Sequence, residues 1–114
     1  MEMMGHEEPP NPMIHVIAIV TTKPGQRDAV LQAFRANVPA VRAEQGCIEY
    51  EPSVDSAPAL KFQTEMGPDT FVVIEKWESL EALEAHSVAP HMAAYSARTR
   101  DQIASRAIHV LSPT

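Results

Sequence analysis

Between residues 74 and 92 the chain reads IEKWESLEALEAHSVAPHM, and this stretch gathers most of the side chains able to do chemistry. Trp77 is the only Trp, Glu75 precedes it by two residues, and His86 and His91 follow. Tyr95 and Arg98 stand at i+4 and i+7 from His91, on one helical side. An imidazole is a natural general base, because its unperturbed pKa of about 6.5 lies close to working pH. Trp and Tyr rings offer faces for a flat substrate, and Glu75 or Arg98 can adjust its charge. A plainer reading fits the same residues, with Trp77 a buried ring packing a subunit interface and the His ordinary surface groups. A metal centre is not indicated. HSVAPH sets the two His five apart with a proline between them, no HExxH occurs, and no third acid or Cys is placed to complete a ligand set.

Other candidates are weaker. His15 and His109 fall on the first and last expected strands, where neighbouring positions would let them pair or bond to backbone and water. Cys47 follows Gly46 with no base beside it, which suits a small buried hydrophobe better than a nucleophile. The four Gly are far apart, so no phosphate-cradling loop or dinucleotide fingerprint is present.

The totals narrow the class. A chain of 114 residues holds one core, and 45% hydrophobic with 21% charged residues is ordinary for a soluble globular protein. The formal charge is −6, and Glu2, Glu7 and Glu8 in the first dozen residues supply half of it. The nine bases are scattered, which argues against a nucleic-acid partner. One Cys excludes an internal disulfide and suits a reducing cytoplasm. No apolar run reaches the ~18 residues of a membrane helix, and MEMMGHEEPPNP lacks the apolar middle of a signal peptide.

Those twelve residues read as a disordered tail, with the domain over 13–114. IHVIAIVTT (14–22) is β-branched throughout, as a strand covered on both faces requires. Val30, Phe34, Val38 and Val41 predict a helix over 26–45, kinked at Pro39 and stopped near Gly46. CIEYEPSV (47–54) alternates Ile48, Tyr50, Pro52 and Val54 against Cys47, Glu49 and Glu51 as an edge strand. LKFQTE (60–65) is read as an extension of the hairpin before TFVVIEKW (70–77), the clearest strand. Ser79 caps a short helix to His86, Pro90 opens a second over 91–104 with a Met92, Tyr95, Thr99, Ile103 stripe, and a strand over 105–112 closes the chain. The order predicts an α+β, ferredoxin-like βαββαβ antiparallel sheet with helices on one face. Two apolar faces on the first strand and one helical layer imply a homodimer burying sheet against sheet.

The segment VIEKWESLEALEAH-x4-HMAAYS, with KPGQ after the first strand and EQGCIEY entering the second, resembles the antibiotic biosynthesis monooxygenase (ABM) domain family, in its quinol monooxygenase branch. The likeness runs from Met13 to Pro113, and E-x-W followed by H-x4-H-x3-Y is its most specific part. The resemblance implies a dimeric α/β barrel with a pocket in each subunit and a cofactor-independent reaction. Such a reaction oxidises a quinol or polycyclic phenol with O₂, without flavin, haem or metal. On that pattern His91 and His86 are the candidate bases, His91 first because it shares a helix side with Tyr95, with Trp77, Tyr95, Glu75, Arg98 and Tyr50 against the substrate. Residues 14–20 contain no Asn, which sets the chain apart from the haem-degrading branch. Two other functions fit the same fold: a small-molecule isomerase using the same base, and a quinone-binding dimer without turnover.

Overall fold

The computed structural model describes residues 13–114, and the tail expected over residues 1–12 lies outside them. The element order is β1 (Ile14–Thr22), α1 (Arg27–Arg42), β2 (Cys47–Ser53), β3 (Thr70–Trp77), α2 (Leu80–Ser87), α3 (Pro90–Thr99), a 3-10 turn (Arg100–Gln102) and β4 (Ile103–Leu111). The strands form one sheet in the order β2-β3-β1-β4, with every neighbouring pair antiparallel. This is the ferredoxin-like α+β plan that the sequence order predicted, its second helical segment split in two.

One face of the sheet makes the core. Ile14, Val16, Ala18 and Val20 of β1 and Phe71, Val73 and Trp77 of β3 pack against Val30, Leu31, Phe34, Val38 and Val41 of α1, with Ala82, Leu83, Met92 and Tyr95 closing the cluster. The opposite face carries Ile17, Ile19, Val72 and Ile74, all half-buried. β4 continues the sheet past β1, yet Ile108, Val110 and Leu111 are about half exposed. Among the described residues no helix is long and apolar enough to cross a membrane.

α1 runs through Pro39, whose missing N–H removes the bond to the Arg35 carbonyl; both residues are exposed, so water can take that bond's place. At the end of the helix, Ala43 N–H donates to the Pro39 carbonyl. Ser79 caps α2 as expected, its hydroxyl accepting from Ala82 N–H, and Pro90 occupies the first turn of α3.

Four local readings change. Residues 60–65 form no strand; Leu60 and Phe62 are 58% and 86% exposed, because the chain there turns through a loop and finds no pairing partner. The last helix stops at Thr99 rather than 104, since Ile103 is drawn into the ladder opposite Thr22 and the strand begins there. In β2 the register shifts between Cys47 and Glu49, so Cys47 joins Tyr50 at the core while Ile48 turns out to 49% exposure. His15 and His109 do not pair: His15 lies opposite Leu111, and His109 opposite Ile17.

Gly46 is set by close approach as well as by its φ of +88°. A Cβ there would lie 2.6 Å from the Ala82 Cβ of α2. Gly46→Ala is therefore expected to cost about 2 kcal/mol or more, from left-handed strain plus displacement of α2. Urea denaturation checks this, and adding Ala82→Gly should recover the packing share but not the strain.

Candidate active site

α1, the helix pair and the sheet enclose a cavity of about 370 Å³. Its walls are mainly apolar, with Val16, Ala18, Val20 and Val73 as floor, Phe34, Leu83 and Met92 above, and Ile108 and Val110 toward the β4 side. The polar groups are few: Tyr50, Glu75, Glu84, His86, Ser87, Tyr95 and Arg106. A mainly apolar pocket with a small set of placed polar groups is the usual form of a small-molecule site.

Strand alternation puts Glu75 and Trp77 on the inner face of β3, with Tyr50 opposite Glu75 on β2. Trp77 is completely buried, and its indole N–H donates to Glu75 Oε1 at 2.9 Å. His86, delivered by the last turn of α2, lies over Trp77 with ring centroids 4.7 Å apart and meets the Tyr50 ring edge-on at 5.5 Å. Phe34 stacks on Tyr50 at 5.1 Å and meets Tyr95 edge-on at 5.8 Å. One aromatic chain thus runs Trp77, His86, Tyr50, Phe34, Tyr95, with no contribution from His91; Trp77, expected against the substrate, is fully buried behind His86 and lines neither cavity.

His86 is oriented by a residue the sequence reading missed. Glu44, in the turn after α1, brings Oε2 3.0 Å from His86 Nδ1. With Nδ1–H directed at that carboxylate, Nε2 is left as the nitrogen able to accept a proton. The same Oε2 stands 2.9 Å from His91 Nε2, although that contact is not aligned as a hydrogen bond. Residue spacing gave no sign of this contact: Glu44 lies 42 residues before His86, and only folding brings the turn after α1 to the end of α2. The direct contacts occupy the space a shared ion would need. Among the described residues no group of three His, Cys, Asp or Glu is arranged to hold a metal ion.

The remaining candidates divide. Tyr50, Glu75, His86 and Tyr95 line the main cavity, whereas His91 and Arg98 line a second cavity of about 190 Å³, with Asn37 and Tyr95. The line His91, Tyr95, Arg98 exists, but it borders α1 rather than Trp77, because the break at Val88 and Ala89 turns α3 away from α2. Phe34, Met92 and Arg106 enter the main cavity without having been singled out as site residues. Phe34 was legible only as part of an apolar stripe, and Arg106 gave no signal at all.

Burial sets the ionisation of this wall. The Glu75 carboxyl is pushed above the usual range by desolvation, against the opposing pull of the Trp77 N–H and of His86. Burial, then the nearby Glu75, push the Tyr50 phenol up, so it stays a hydrogen-bond donor. The Tyr95 phenol is also raised by burial, with Arg106 pulling the other way. Burial and then Glu44 raise the Cys47 thiol, as its reading as an inert hydrophobe requires.

The Glu75 shift has a measurable sign. Below the ordinary carboxylate range folded and unfolded chains both hold the proton, and the residue costs nothing. As pH rises, the unfolded chain releases its proton first, and the native state loses stability. Glu75→Gln keeps an acceptor for the Trp77 N–H and removes that loss. Its Tm relative to wild type should climb between pH 4 and 8 and converge at the acid end, as thermal melts across that range would read.

Comparison with known proteins identifies the family. The family described as antibiotic biosynthesis monooxygenase matches residues 13–98, from the start of β1 to the last turn of α3. The Escherichia coli K12 protein named "Probable quinol monooxygenase YgiN" is 47% identical over 103 residues, covering 89% of this chain and 98% of that one. Among solved structures, PA3566 from Pseudomonas aeruginosa is 27% identical with a TM-score of 0.76, covering 91% of this chain and 96% of its own. Rv0793 from Mycobacterium tuberculosis is 28% identical with a TM-score of 0.72, covering 90% and 95%. With the match spanning most of the fold and the residues around the cavity, the chain belongs to the antibiotic biosynthesis monooxygenase family.

Proposed function

We propose that the protein is a cofactor-independent monooxygenase that oxidises a quinol or polycyclic phenol with O₂, using His86 as general base. The observation that carries this reading is one imidazole, fixed by Glu44 and flanked by Trp77 and Tyr50, in the wall of an otherwise apolar cavity. The quinol named for the E. coli relative points to the same substrate class.

The chemistry follows from the wall. His86 takes the proton of a substrate hydroxyl, and the resulting anion is electron-rich enough to pass one electron to O₂. The radical pair closes a carbon–oxygen bond to give a peroxide anion, which regains the proton to become a hydroperoxide and then loses water. One oxygen atom stays on the ring and the other leaves as water, so quinol plus O₂ gives hydroxyquinone plus H₂O. Dry walls protect the intermediates, and the raised Tyr50 phenol offers a donor to the developing oxyanion.

The test is an oxygen electrode with a reduced naphthoquinol, together with product analysis. Uptake well above autoxidation with a hydroxylated product supports the reading. Uptake equal to the blank while the quinone binds would favour the binding module, and proton exchange into a carbonyl compound without uptake would favour the isomerase.

The same reading includes a homodimer. The half-buried Ile17, Ile19, Val72 and Ile74 and the exposed Leu111 of β4, all on the face away from the helices, suit a second sheet packed against the first. Sedimentation is expected to give twice the chain mass, and a single-chain mass at micromolar concentration would remove this part of the proposal.

A further inference from the structure

A single carboxylate oxygen joins the two histidines. Glu44 Oε2 lies 3.0 Å from His86 Nδ1 and 2.9 Å from His91 Nε2. The three residues come from three places: the turn after α1, the last turn of α2 and the first turn of α3. They also lead somewhere. His86 lines the main cavity, whereas His91 lines the second, between α1 and α3, whose exposed Ala36, Ala94 and Arg98 bring it to the surface. Both ring nitrogens of His91 are shielded from solvent, and neither makes an aligned hydrogen bond. A shielded polar atom left in that state is costly and asks for a reason.

We propose that Glu44 and His91 extend the base, forming with His86 a proton path from the apolar cavity to the helix-side cavity. The inference rests on the oxidation reading for the source of the proton. A substrate O–H gives its proton to His86 Nε2, His86 gives Nδ1–H to Glu44 Oε2, and Glu44 passes a proton to His91 Nε2. His91 then releases Nδ1–H toward the second cavity, whose lining it shares, through a small rotation of the ring that exposes the shielded nitrogen. In reverse the path returns the proton that the peroxide anion needs, so no net charge is left over a turnover. A positive charge held wholly between Trp77 and Tyr50 would lack water, and sharing it along the path moves it toward solvent. The ionisable groups facing the path from neighbouring elements are Glu75 on β3, Cys47 and Tyr50 on β2, Arg42 on α1, Glu84 on α2, Tyr95 and Arg98 on α3, and Arg106 on β4.

Two measurements test it with different readouts. Histidine-ring ¹⁵N NMR of the labelled protein, titrated through pH 4 to 9, needs no catalysis. The His86 curve is expected to move in both Glu44→Gln and His91→Asn, because removing one member changes the charge its neighbours meet. A His86 curve unchanged in both variants overturns the path. In weakly buffered solution, quinol-dependent oxygen uptake by His91→Asn should fall about tenfold with KM within about twofold, and added imidazole should restore it. Uptake that is unchanged, or reduced but indifferent to imidazole, also overturns it. If the wild-type protein consumes no oxygen with any quinol, the oxidation reading fails, and the NMR titration alone upholds or overturns the coupling of the three residues.

Discussion

His86→Ala is expected to lower quinol-dependent oxygen uptake by about 10²- to 10⁴-fold, the range typical of losing a general base. The loss should fall on kcat more than on KM, because the cavity that holds the substrate is built chiefly from Val16, Val20, Phe34, Val73 and Met92, which the change leaves in place. His86 also packs on Trp77 and meets Glu44, so the variant must be shown to fold, by near-UV circular dichroism and a thermal melt. His86→Gln is the better-shaped control, with an amide that can donate to Glu44 but cannot act as a base at neutral pH. Equal loss in both variants assigns the effect to proton abstraction. Activity retained in both would place the base elsewhere, and His91→Ala, the other imidazole on Glu44, would be tried next.

Trp77→Ala is expected to be the most destabilising single change at the site. The indole is fully buried at the end of β3, and truncating such a ring costs about 3–5 kcal/mol. For a domain of this length that corresponds to a fall in Tm of at least roughly 12 °C. The change also removes the donor to Glu75 Oε1 and the surface on which His86 rests. Trp77→Phe separates these effects. It keeps much of the apolar volume but withdraws the N–H, so Glu75 loses the bond that holds its carboxyl down, and its ionisation should move further up. Its stability deficit should therefore be smaller than that of Trp77→Ala near pH 4 and widen toward pH 8. Melts of both variants at the two pH values decide this, and a Phe deficit independent of pH would mean that the indole N–H matters little to Glu75.

The amino-acid sequence by itself determined the architecture. Period-two alternation in 70–77, the β-branched run 14–22 and the 30, 34, 38, 41 spacing are local patterns that each fix an element, and their order leaves few topologies. It also made Trp77, Glu75, His86 and Tyr95 prominent, because rare or ionisable side chains stand out within regular elements. Tertiary structure decided which of them meet. The bulge in β2 brought Cys47 inward and sent Ile48 out, reversing a simple alternation, since one extra residue flips every side chain beyond it. The turn between α2 and α3 separated His86 from His91 into two cavities, although they stand only five positions apart. Glu44 became the residue that touches both through contacts made 42 and 47 positions away, and no spacing rule reaches that far: helix and strand periods describe neighbours along the chain, whereas the site is assembled by the packing of α1 and the helix pair on one face of the sheet.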